Sequence, residues 1–207
     1  MRKLFSFLLI CFGATMLHAQ RPAVRGLFEQ MPDSLLPLVN AQARQALTHA
    51  YVLGTDALVR DVMNTEVVLD TLGEDFMQLR TSPVSTLQLR LLHTTDSTTL
   101  IALVESVEAN GSVSSIRFFN DRWTEQHWLD FPMPTVRQFV GDDADRDVAA
   151  QLEALPLISI QAEGNAPVFT LRLSLSPLDE EARRKAPRQA PTLRVRWDGN
   201  QFRMPMP

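Results

Sequence analysis

The spacing of apolar residues divides the chain into a short helical beginning and a long strand-rich remainder. Across 22–31, Val24, Leu27, Phe28 and Met31 recur at three- and four-residue intervals, as on one face of an amphipathic helix with Pro22 in its first turn. Pro32 ends this helix, Asp33 and Ser34 offer capping oxygens to a following turn, and Pro37 interrupts the chain again. A second helix is predicted over 40–53, with Gly54 as its left-handed stop, and a short third over 56–64, capped by Asp56.

From Glu66 onward the period becomes two. Leu87, Leu89 and Leu91 alternate with Gln88 and Arg90, which predicts an antiparallel strand with one oily and one wet face. Asn110-Gly111 predicts a tight hairpin between strands at 99–108 and 113–120, its turn made by two residues of positive φ. A further strand is predicted at 125–131, closing a meander of about six strands. After Pro132 and Pro134 a helix is expected over 145–155, with Val148, Leu152 and Leu155 as its apolar stripe. Strands return at 157–161 and 168–175. Ser176-Pro177 and Asp179 then start a helix that is acidic at Glu180 and Glu181 and basic at its end. The last hairpin joins 192–197 to 201–204 through Asp198-Gly199-Asn200. The expected fold class is α+β: a largely antiparallel sheet packed against N-terminal helices, with additional short helices between later strands. One domain over 20–207 is the expectation, and the recurrence of helix followed by strands in 22–131 and 135–207 leaves two similar lobes as the alternative.

The first residues change the picture of where the chain works. Arg2 and Lys3 precede an apolar run from Leu4 to Leu17, and His18, Ala19 and Gln20 follow, the three parts of a secretory signal with cleavage after Ala19. The run is shorter than the roughly 18–20 residues of a permanent transmembrane anchor. Cys11 lacks the small preceding residue of a lipoprotein signal, so cleavage rather than lipidation is the reading. Because Cys11 is the single cysteine, the mature chain would have no thiol for disulfides or nucleophilic chemistry. It would also carry 18 Lys+Arg against 24 Asp+Glu, a formal charge of −6, which argues against nucleic acid and anionic membranes as partners. The expected location is periplasmic or extracellular.

Three constellations bear on function. Asp142, Asp143, Asp145 and Asp147 resemble part of a calcium loop, but a loop starting at Asp143 would need glycine where Val148 stands and glutamate where Ala154 stands. They read instead as an acidic helix N-terminus with Asp145 as cap. His49, His93 and His127 show no metal-ligand or hydrolase spacing, so no catalytic residue, metal or cofactor is assigned. Finally, Arg90, Arg172, Arg194 and Arg196 fall on the polar sides of the three cleanly alternating strands. Gathered on one uncovered sheet face, they would hold a carboxylate or phosphate through forked hydrogen bonds, and they are the candidate ligand-binding residues. Trp123 and Trp128 would suit sugar stacking if exposed, whereas Trp197 shares a face with Leu193 and Val195 and is expected in the core.

The run Met31-Pro32-Asp33-Ser34-Leu35-Leu36-Pro37, the strand Ser85-Thr86-Leu87-Gln88-Leu89-Arg90-Leu91-Leu92 and the following Asp96-Ser97-Thr98 resemble a small family of exported Bacteroidales proteins described only as a domain of unknown function. The resemblance spans roughly Ala23 to Asp130. It implies an envelope location and supplies no catalytic residues. The leading expectation is therefore a non-enzymatic envelope module that binds an anionic ligand or an envelope protein. The alternatives are a small hydrolase of envelope glycans using Glu74, Asp75 or the Asp142 to Asp147 cluster, and an assembly role through an unpaired strand edge.

Overall fold

Residues 23–204 are described by a computed structural model. Helix α1 (Val24–Glu29) and helix α2 (Ala41–Val52) flank a single 3-10 turn at Asp33–Leu35. Asn40, expected as the first helical residue, instead caps α2 by accepting from the Ala43 N–H, and Gly54 follows the helix end at φ 69°, as the sequence predicts. Between the helices the chain wraps one side chain. Arg44 is buried, and its guanidinium donates to Asp33 Oδ1 at 2.9 Å, to the Val39 carbonyl at 2.6 Å and to the Met31 carbonyl. The Met31 to Pro37 run is thus the binding loop of an internal guanidinium.

Six strands follow in simple meander order: β1 (Leu58–Arg60), β2 (Glu66–Leu72), β3 (Phe76–Ser82), β4 (Ser85–His93), β5 (Thr99–Glu108) and β6 (Ser112–Asn120), all antiparallel. The helix expected over 56–64 is not formed. Residues 58–60 instead pair with β2, and Asp61 accepts from the Met63 and Thr65 N–H groups in a turn where Asn64 takes φ 63°. Ladder bonds and turn chemistry outweigh the modest helical preference of so short a segment. The β5–β6 connection is a three-residue loop, Ala109-Asn110-Gly111, in which Gly111 alone has positive φ, where the sequence suggests a two-residue turn.

One face of this sheet presents Val67, Leu69, Met77, Leu79, Leu87, Leu89 and neighbours to Val24, Leu27, Phe28 and Leu47 of the helices. The other face is not open. It is covered by a second antiparallel sheet, ordered β10-β9-β8-β7, of β7 (Ile158–Ala162), β8 (Val168–Leu173), β9 (Thr192–Trp197) and β10 (Phe202–Arg203). Helices α3 (Val136–Val140), α4 (Arg146–Ala154) and α5 (Glu180–Lys185) add Val136, Val148, Leu152 and Ala182 to the intersheet core. At its centre the rings of Phe118, Phe131, Phe169 and Phe202 make tilted and edge contacts at 5.0–6.2 Å. Phe131 reaches this core from irregular chain. The strand expected over 125–131 reduces to a single bridge between Phe119 and Glu125. Leu155, expected in the α4 stripe, lies outside it at 53% exposure. Helix α3, not anticipated, begins with a capping box of Thr135 and Gln138 that is visible in the sequence as Thr-x-x-Gln.

The sheets are also joined by hydrogen bonds. The open edge of β7 is met by side chains from the first sheet: Ser114 Oγ accepts from the Ile160 N–H, and Gln88 Oε1 accepts from the Ala162 N–H, both at 2.9 Å. Further along, Arg90 donates to the carbonyls of Glu163 and Gly164 at 3.3 and 3.0 Å. Polar residues of β4 and β6 stand in for the missing neighbour strand.

Candidate functional site

The sheet architecture separates the four arginines. Arg90 lies between the sheets at 5% exposure, donating to backbone carbonyls, and is not on a ligand-accessible face. Its surroundings push the guanidinium pKa down, chiefly through burial, with Asp75 opposing that shift. The sequence expectation for this residue is corrected for a simple reason. Alternation divides a strand into an apolar and a polar side, but a polar side can be dry when it satisfies another element's backbone.

Arg172, Arg194 and Arg196 do share a surface, the outer face of the four-stranded sheet. In the β8–β9 register Thr170 stands opposite Arg194, Arg172 opposite Thr192, and Val168 opposite Arg196, while Phe169, Leu171 and Val195 point inward. A fourth guanidinium joins them. Arg203 lies opposite Arg196 across the β9–β10 pair, a position fixed by register, which residue spacing within one strand does not reveal.

The four are not equivalent electrostatically. Arg194 Nη2 donates to both Glu163 carboxylate oxygens at 2.6 and 2.8 Å, and Thr170 Oγ1 also donates to that carboxylate at 3.1 Å. Arg203 pairs with Asp198 at 2.5 Å. The backbone N–H groups of Gln201 and Asn200, and then Arg203, pull the Asp198 pKa down to about 2. Among the described residues, neither Arg172 nor Arg196 has a carboxylate within the 4.0 Å of an ion pair. Two adjoining concavities border the β9 end of this face. One, of about 410 Å³, is lined by Val168, Arg194, Arg196, Arg203 and Met204. The other, of about 550 Å³, extends from Arg194 and Met204 to Arg137 and Gln138 at α3. Among the described residues only the two of β10 pair with β9 there, so the concavities lie beside a strand edge that the described residues leave largely uncovered.

Several of the other sequence candidates have structural partners. Asp145 caps α4 by accepting from the Asp147 and Val148 N–H groups, and Lys185 sits 3.8 Å from Asp145 and 3.6 Å from Asp147. Among the described residues no three His, Cys, Asp or Glu side chains are grouped so as to hold a metal ion. Asp75 meets His93 Nε2 at 3.0 Å, while His93 Nδ1 is 3.3 Å from Thr99 Oγ1, its cross-strand neighbour. Trp197 is buried and donates to the His93 carbonyl, and Trp123 donates to the Leu27 carbonyl. Trp128 is 66% exposed and donates to Gln126. No helix among the described residues is long and apolar enough to cross a membrane.

These layers define an α+β protein in which a six-stranded meander is clasped between N-terminal helices and a smaller antiparallel sheet. The chain belongs to the family described as "Protein of unknown function (DUF3256)", whose model matches residues 14–202. That span extends well past the Ala23 to Asp130 stretch that carries the sequence resemblance. A domain of an uncharacterized protein from Porphyromonas gingivalis W83 has the same fold, with a TM-score of 0.74 at 19% identity, covering 90% of this chain and 100% of that one. No curated protein matches the chain.

Proposed function

We propose that this is an exported, non-enzymatic envelope protein that holds an anionic partner against the outer face of its four-stranded sheet. The observation that carries the reading is the state of Arg172 and Arg196, two guanidiniums on one face with no carboxylate within ion-pair distance among the described residues. Arg194 between them is held in place by Glu163, so the face is partly organised before any partner arrives. A guanidinium offers a planar fork that suits carboxylate or phosphate, and pre-oriented forks lose less freedom on binding than mobile ammonium groups. The negative charge of the whole chain makes this cluster a local exception, which would favour one docking orientation. Export is supported by the signal-like pattern of residues 1–19.

The test is a pull-down from envelope extract with the purified protein and with the Arg172→Glu, Arg196→Glu double variant. Recovery of the specific partner should fall about tenfold or more, and wild-type recovery should fall as salt rises. Circular dichroism should be unchanged, because both side chains are exposed. Equal recovery of every partner by the variant would remove the arginine face from consideration.

A further inference from the structure

The outer face of the second sheet ends in a cleft built quite differently from the arginine surface. Its volume is about 470 Å³, inside the range of roughly 300–1,000 Å³ typical of small-molecule sites. Arg172 and Ser159, cross-strand neighbours on β8 and β7, line it side by side, and Ser174 and Ser176 continue from the end of β8. Arg183 enters from α5, with its guanidinium donating to the Leu175 carbonyl at 3.1 Å, which fixes its direction. Glu108 approaches from the end of β5.

Two features distinguish this cleft from an accidental dent. The first is its wall. The β5–β6 loop is seated so closely against the Ser174 to Ser176 segment that a Cβ on Gly111 would lie 2.5 Å from Ser176 Oγ and 2.6 Å from Leu157 Cδ1. Gly111 also has φ 141°, a conformation that side chains rarely adopt, so the backbone requires glycine, and any Cβ there would push the Ser176 and Leu157 side chains aside. The first sheet is thereby brought against the second at one defined place. The second feature is charge. Arg172, Arg183 and Glu108 line one cleft, yet among the described residues none of them lies within 4.0 Å of an opposite charge. Elsewhere on this molecule arginines commonly find carboxylates, as Arg80 does with Asp70, Arg117 with Glu105 and Arg137 with Glu153.

We infer that this cleft is a binding site for a small hydroxylated anion, a monosaccharide-sized molecule bearing a phosphate or carboxylate group. Arg172 and Arg183 supply charge-assisted donors to the oxyanion. The serine hydroxyls both donate and accept, as a polyol requires, and Glu108 accepts from ligand hydroxyls on the opposite side. The cleft shares only Arg172 with the face proposed above. Arg183, Glu108 and the serines are its own, so the two readings can fail separately.

The test is titration of the purified protein with glucose 6-phosphate, glucuronate and glucose, followed by calorimetry and by backbone amide NMR. Both charged sugars should saturate and shift the amides of Gly111, Ser174 and Ser176, while glucose should bind at least about tenfold more weakly. Arg183→Gln and Ser174→Val should each weaken charged-sugar binding about tenfold, and Arg196→Gln should leave it unchanged. A preference for the phosphate or the carboxylate probe would identify the oxyanion the cleft takes. Absence of saturable binding by both charged sugars, or equal binding by Arg183→Gln, would overturn the site. An Arg196→Gln loss as large as that of Arg183→Gln would also overturn it, by assigning binding to the broader arginine face, which would then stand without the cleft.

Discussion

Two buried arginines act in this molecule as internal donors, unlike the arginines of its surface. Arg44 and Arg90 are each at most 5% exposed, and both spend their donors mainly on backbone carbonyls. Arg44 organises the Met31 to Pro37 run, so the segment that carries the family resemblance has a structural task that its sequence does not reveal. Replacing Arg44 by Met should leave the Met31 and Val39 carbonyls without their donor and lower stability by about 2–4 kcal/mol in urea unfolding. Asp33→Asn should cost well under that, about 1 kcal/mol or less, because Asp33 is 61% exposed and its ion pair faces water. Equal losses for the two variants would mean that the ion pair, and not the carbonyl bonds, holds the loop. The surface arginines differ again. They depend on register, and Arg203 becomes a neighbour of Arg196 only through the β9–β10 pairing.

At the level of elements, the β7 edge explains why a clean alternating pattern led to a wrong surface. Gln88 of β4 and Ser114 of β6 complete hydrogen bonds of β7 from outside its own sheet, and Arg90 of β4 does the same for the Glu163 and Gly164 carbonyls just beyond it. The edge is therefore satisfied without a further strand, and the polar side of β4 is removed from water. Gln88→Leu should cost about 1–3 kcal/mol and speed amide exchange at Ala162, since that N–H loses its acceptor in a dry site. A solvated Gln88 would tolerate leucine within about 0.5 kcal/mol, so the same measurement separates the two pictures. Short elements carry little local pattern of their own. Residues 58–60 have too few positions to establish a period, and pairing with β2 decides their conformation.

For the whole molecule, the six-stranded sheet has a core on each face, and every large interface passes through it. Trp123 reports on the helix-side core and Trp197 on the intersheet core. With Trp128 changed to Phe, protein retaining only Trp123 and protein retaining only Trp197 should show coincident urea transitions, each measured against far-ultraviolet circular dichroism of the same variant. Separate transitions within either variant would indicate that the halves 22–131 and 135–207 unfold as independent lobes. The shared sheet argues for one cooperative unit, because neither core can lose its wall without exposing the other.

The sequence by itself determined most of the elements, through apolar periods of two and three to four, and it also determined the helix starts at Asp145 and Asp179. It likewise placed Arg172, Arg194 and Arg196 on the polar sides of their strands, because side-chain direction along a strand is a local property. Tertiary structure alone decided which polar side meets water, which strands are neighbours, and that Glu108, Arg172 and Arg183 from three separate elements line one cleft. Those outcomes depend on contacts between distant residues, whose free energies are set by packing and hydrogen-bond completion rather than by any local pattern.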